Sequence, residues 1–148
     1  MELDALRQRI ESLDKKLKPI ANAPVAFPPD LAERRMPKDD DANGALLDAV
    51  DLYARADVAE RAKIREIFQL NHAFAWAAAL PFPADSEERF RQHLLHFSII
   101  DQGRDQRDAL LWMHDLLQSP YATRAVVSEV AAMSGDWTRD QLSRAISI

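Results

Sequence analysis

The densest chemistry in this 148-residue chain lies between His93 and Asp115, "HLLHFSIIDQGRDQRDALLWMHD". Three of the four histidines, four aspartates and two arginines surround a single glycine there. His93 and His96, three apart, can share one side of a helix, while His114 and Asp115 belong to the next helix, folded back after Gly103. Imidazoles and carboxylates converging between antiparallel helices could hold a divalent metal with one position left for water. The same residues also read as two helices joined by a polar turn. Phe90, Leu94 and Phe97 mark an apolar face that His93 borders, Asp105 and Asp108 suit a helix N-terminus, and Arg104 and Arg107 can pair with them.

The elements that would position these groups are helical. Only three glycines occur and no segment alternates like a half-buried strand, so the spacing predicts an all-α fold. We expect one compact multi-helix domain of about six to seven helices, with some character of stacked helical hairpins. Residues 1–18 read as an amphipathic helix with Leu3, Leu6, Ile10, Leu13 and Leu17 in a 3-4-3-4 stripe. That stripe either docks on the body or pairs two chains in a homodimer. Residues 19–44 carry Pro19, Pro24, Pro28, Pro29 and Pro37 and predict an extended arm or linker. Residues 45–148 form the helical domain. Asp57 with Glu60 opens a helix running to about Leu80, and "PFP" at 81–83 breaks it. Asp85 with Glu88 opens a helix to about Gly103, Asp105 and Asp108 open the next, and Ser119–Pro120 starts one that Gly135 closes. Thr138 with Gln141 starts the last. Helix starts 34 and 33 residues apart, and the echo of "RDQRDAL" in "RDQLSRAI", suggest a hairpin repeat.

Charge narrows the function. Net charge is −5, and Lys38–Glu60 alone carries all of it: seven acids (Asp39, Asp40, Asp41, Asp48, Asp51, Asp57, Glu60) against Lys38 and Arg55. Nonspecific nucleic-acid binding needs the opposite sign. The C-terminal "VVSEVAAMSGDWTRDQLSRAI" is similar to a helix-turn-helix, but its charges balance, which favours a plain helical hairpin. Asp41, Asp48 and Asp51 fall on one helix face near Tyr53, and Trp76 ends a mixed stripe with Arg65, Gln69 and His72. Aromatic residues beside carboxylates make good interface anchors.

Other chemistries are excluded by composition. The absence of cysteine removes disulfides, thiolate nucleophiles and sulfur-ligated zinc. No serine lies in a glycine-flanked elbow and no glycine-rich loop could cradle phosphates. The charged N-terminal stretch and the lack of a long apolar run predict a cytoplasmic protein without a membrane span.

"ALLWMHDLL" at 109–117 resembles the central His-Asp dyad of the HD-domain phosphohydrolases, and "LNHAFAWAAAL" at 70–80 resembles that family's first helix. The resemblance implies His72, His114 and Asp115 as metal ligands, with Asp136 or Asp140 as the distant carboxylate. A divalent metal such as manganese would then activate water toward a phosphate ester.

Two functions follow. The one that requires no assembled catalytic motif is a noncatalytic protein-binding module, an acidic inhibitor of the immunity or antitoxin type that masks a basic partner. Its binding residues would be Asp41, Asp48, Asp51, Tyr53 and Trp76, with no catalytic residue and no cofactor. The alternative is the metal-dependent phosphohydrolase of His72, His114 and Asp115.

Overall fold

A computed structural model describes residues 2–21, 39–99, 113–133 and 142–144, apart from the side chains of Ile20, Ala21 and Trp76. Six helices follow in order: α1 (Glu2–Ala21), α2 (Asp40–Arg55), α3 (Val58–Leu70), α4 (His72–Ala77), α5 (Glu87–Ile99) and α6 (Arg124–Met133). Residues 113–117 and 142–144 are also helical, and no strand occurs among the described residues. The fold is all-α, as the periodicity predicts.

The leucine stripe of α1 is spent inside the chain. Leu3, Leu6, Ile10, Leu13 and Leu17 are all buried, and α1 packs most extensively against α4 and α2. Removing such a stripe from water is the main drive for docking an amphipathic helix. It is therefore not available to pair two chains, and a homodimer through those five residues is ruled out by their burial. The centre of the core is aromatic: Tyr53, Phe68, Phe74, Phe90 and Phe97 are fully covered.

Element ends differ from the sequence reading for local reasons. Helix α1 continues through Pro19 to Ala21, where a missing N–H costs only bonds of the last turn. Helix α2 begins at Asp40, inside the segment read as an arm. Asp39 is extended and its carboxylate accepts a 2.9 Å hydrogen bond from the Ala42 N–H, a side-chain cap. Asp57 caps α3 in the same way, accepting from the Glu60 N–H at 2.8 Å. Ser86, rather than Asp85, caps α5 by accepting from the Arg89 N–H at 3.2 Å. Thr123 stands before α6 and accepts from the Val126 N–H at 3.4 Å, so the helix expected at Ser119–Pro120 starts later. Of the two echoing segments that suggested a hairpin repeat, residues 104–110 lie outside the described residues, as do all but 142–144 of residues 139–146.

The largest departure is at Asn71, where one expected helix becomes two. Asn71 leaves helical geometry (φ −125°, ψ 64°). Its side-chain amide donates to the Ile67 carbonyl at 2.7 Å and its backbone N–H to the Phe68 carbonyl at 3.3 Å, closing α3. The break swings Phe74 edge-on to Phe68, with ring centroids 5.4 Å apart. Asn71 gives α4 no side-chain cap. A residue of another helix supplies it: Asp14 of α1, itself buried, accepts from the Phe74 N–H at 3.0 Å. At the far end Asn43 of α2 accepts from the Ala79 N–H at 2.9 Å. A six-residue helix is too short to hold by itself. Side chains of α1 and α2 hold both its ends.

The "PFP" break is pinned to α5. The Arg89 guanidinium lies 3.7 Å over the Phe82 ring, His93 meets that ring edge-on, and His93 Nε2 donates to the Phe82 carbonyl at 2.9 Å. Arg91 joins α5 to α6 through Glu129 at 2.6 Å and also holds Glu87 at 3.2 Å.

Candidate partner-binding surface

Asp41, Asp48 and Asp51 are exposed on one face of α2, at helical spacing. What the sequence reading missed is the basic set that α1 lays beside them. The two helices run antiparallel, and three ion pairs span them in order: Glu2 with Arg55 at 3.6 Å, Arg9 with Asp48, and Lys16 with Asp39 at 3.1 Å. On α1 the members are seven apart, so each stands one heptad from the next on the same edge. Gly44 makes room for this approach, since an added Cβ would stand 3.1 Å from the Arg9 guanidinium. The Ala42 N–H, and with it the Lys16 ammonium, hold the Asp39 carboxyl below the usual carboxylate range, against the opposing effect of burial.

Between the helices runs an open groove of about 340 Å³, lined by the apolar Ala5, Leu6 and Leu52 and by the charged Glu2, Arg9, Asp48, Asp51 and Arg55. Linear counting therefore overstates the field of this region. Around the groove three carboxylates meet two guanidiniums. Asp40, Asp41 and Asp51 make no ion pair among the described residues.

Tyr53 does not join this surface. It is fully buried, and its hydroxyl donates to the Met133 carbonyl at 2.8 Å while accepting from Arg65 at 2.6 Å. Arg61 and Arg65 lie 5.6 and 5.9 Å from its ring centroid, and Arg61 Nε donates to the Tyr53 carbonyl at 3.0 Å. Tyr53 is thus the core end of α2, tying it to α3 and α6. The sequence placed it near the carboxylates because it follows Asp51 by only two residues; in a helix that spacing turns it to the opposite side, toward the core. The side chain of Trp76 lies outside the described residues.

The histidines do not assemble. His72 is the exposed first residue of α4, His114 is half-buried and Asp115 exposed. Among the described residues no three His, Asp or Glu side chains form a group that could hold a metal. Asp136 and Asp140 lie outside those residues. His96 is buried on the inner side of α5. His93 is bound to the Phe82 turn, and burial, reinforced by the Arg89 charge, pushes its pKa below the ordinary histidine value although the Phe82 carbonyl opposes the shift. No helix among the described residues is long and apolar enough to cross a membrane.

The fold and this surface together define an all-α domain with a charged groove between its first two helices. Comparison with known protein families, curated proteins and solved structures finds no match to this chain. The likeness to the phosphohydrolases thus rests on its two short stretches.

Proposed function

We propose that the chain is a noncatalytic protein-binding module whose α2 face, at Asp41, Asp48 and Asp51, receives a basic partner in the manner of an immunity or antitoxin protein. The observation that supports this reading is the exposed row of carboxylates beside a groove whose lining includes the apolar Ala5, Leu6 and Leu52. A row of this kind attracts a cationic surface and raises its association rate. The apolar part of that lining suits the alkyl stem of an arginine or lysine delivered to Asp48 or Asp51. Arg9 already occupies Asp48, so the partner's cation exchanges one ion pair for another there, whereas Asp51 makes no ion pair among the described residues. No arrangement of His72, His114 and Asp115 favours the phosphohydrolase.

The test is affinity capture from a cell lysate at low salt, followed by titration of the captured protein against the Asp48→Lys/Asp51→Lys variant. Loss of binding by the variant, with an unchanged circular dichroism spectrum and salt-sensitive binding by the parent, supports the module. Equal affinity of the two forms, or a captured protein that binds equally at high salt, ends it.

A further inference from the structure

Two arginines of α3, Arg61 and Arg65, lie one turn apart on the same side of the helix, and both are half-buried. Their guanidiniums gather on one buried ring, 5.6 Å and 5.9 Å from the Tyr53 centroid. Arg61 Nε donates to the Tyr53 carbonyl at 3.0 Å, and its Nη2 donates to the Ala54 carbonyl at 3.4 Å. Arg65 Nη1 donates to the Tyr53 hydroxyl at 2.6 Å. Every one of these partners is neutral. A ring face and the carbonyls that close α2 attract cations and fix where they stand, but they do not cancel the charge.

No carboxylate cancels it either. Neither guanidinium forms an ion pair among the described residues. Asp57, one turn before Arg61, accepts instead from the Glu60 N–H that it caps. Glu60 and Glu66 stand next to Arg61 and Arg65 in sequence, and adjacent residues of a helix do not face each other. By contrast, Arg7, Arg9, Arg55 and Arg91 each hold an acid. Like charges one turn apart repel, so the fold keeps together two cations that it leaves unneutralised.

We propose that Arg61 and Arg65 form a binding site for the phosphate group of a small phosphorylated molecule. Of the five N–H groups of a guanidinium, Arg61 spends two and Arg65 one on the partners above, so both retain donors for a ligand. A phosphate monoester brings a charge of about −1.5 to −2 and acceptor oxygens enough to meet two forks. A carboxylate brings one charge and two oxygens, which a single bidentate fork satisfies. Held against Tyr53, the guanidiniums lose little freedom on binding, and such preorganisation lowers the cost of association. The Tyr53 hydroxyl in turn donates to the Met133 carbonyl at 2.8 Å, so the core of the fold positions the site. None of the Asp41, Asp48 and Asp51 carboxylates takes part, and the site goes beyond the partner-binding reading.

Titration of the full chain with inorganic phosphate, followed through the arginine Nε–Hε NMR signals, tests the proposal. Saturating shifts of the Arg61 and Arg65 signals are expected, half-complete at about 1 mM. Chloride at matched ionic strength should produce none, and acetate should bind at least about tenfold more weakly than phosphate. Arg65→Lys keeps the charge but loses the fork, and should weaken phosphate binding at least about tenfold. Arg61→Lys makes the same test from the other guanidinium, should Arg65→Lys disturb Tyr53. Tyr53→Phe keeps both arginines but frees Arg65 from its anchor, and should weaken binding by a smaller factor. Shifts that never saturate, or that chloride reproduces, overturn the proposal, as does phosphate affinity unchanged in both lysine variants. Equal binding of acetate and phosphate overturns the phosphate assignment. These outcomes do not involve Asp48→Lys/Asp51→Lys, so this site and the partner-binding face fail separately.

Discussion

Asp14 and Asp48 are the same residue type, each within reach of a cation, yet they do different work. The Asp14 side chain is 4% exposed, and its carboxylate holds the first turn of α4 while Lys18 stands 3.6 Å away. The Asp48 side chain is 61% exposed, and Arg9 lies across it. A carboxylate taken out of water costs heavily unless every lone pair finds a donor, so once satisfied it is indispensable to its neighbours. An exposed pair gains little, because water competes for both partners and salt screens them. The difference separates what holds α1 to the body from what α1 and α2 show to solvent.

The largest expected effect breaks the buried half of this comparison. Asp14→Ala leaves the Phe74 N–H without an acceptor and should cost about 3 kcal/mol, lowering the thermal midpoint by roughly 10 °C. Asp14→Asn keeps an acceptor and should cost less than half as much. Equal losses for the two variants, read by thermal melts, would show that burial of the carbonyl-like oxygen is not what matters. Next comes Tyr53→Phe, which removes a hydroxyl between Arg65 and Met133 and should cost about 1–2 kcal/mol. Chemical denaturation with an unchanged slope checks it.

The third expected effect is a pH dependence. Burial holds the His93 pKa below its ordinary value of 6.5. As pH falls below that value the unfolded chain takes up the proton first, so stability declines. The decline should begin near pH 6.5 and flatten in His93→Gln, which keeps a donor for the Phe82 carbonyl. Asp39 acts in the same direction further down. Its depressed pKa contributes stability above the ordinary 3.8 that is lost as pH drops through the folded value. Thermal midpoints from pH 8 to pH 3 resolve the two steps. The smallest effect sharpens the exposed half: Arg9→Ala should change stability by no more than about 0.5 kcal/mol. It should also tighten a captured basic partner, by freeing Asp48.

Much of the fold was legible because it depends on short-range pattern. The α1 stripe follows from five apolar residues at helical spacing, and the Asp57 cap from a residue pair three apart. Asp14 was not legible as a cap, because its meaning depends on a helix that starts 58 residues later. One signal pointed to it: Asp14 lies four after Ile10 and three before Leu17, a charged residue on the apolar face. Asn71 was hidden by the apolar run that continues on both sides of it. The candidate surface was half legible. Its carboxylates are contiguous in sequence, but the bases that answer them are in α1, so counting along the chain finds the acids and misses their partners. Tyr53 shows the same limit, since proximity in sequence does not say which way a side chain faces.

The three ion pairs between α1 and α2 are not all of one sense. Arg9 and Lys16 place the cation on α1, whereas Glu2 and Arg55 place it on α2. Sliding α1 by one heptad, about 10 Å, in one direction would set Glu2 against Asp48, and in the other would set Arg9 against Arg55. Leucines repeated at heptad spacing look alike after such a slip, and alanines facing them do not object. The reversed pair does. Contacts that contribute almost nothing to how firmly the helices hold thus act as a proofreading mark, telling the chain which of several nearly equivalent alignments is its own.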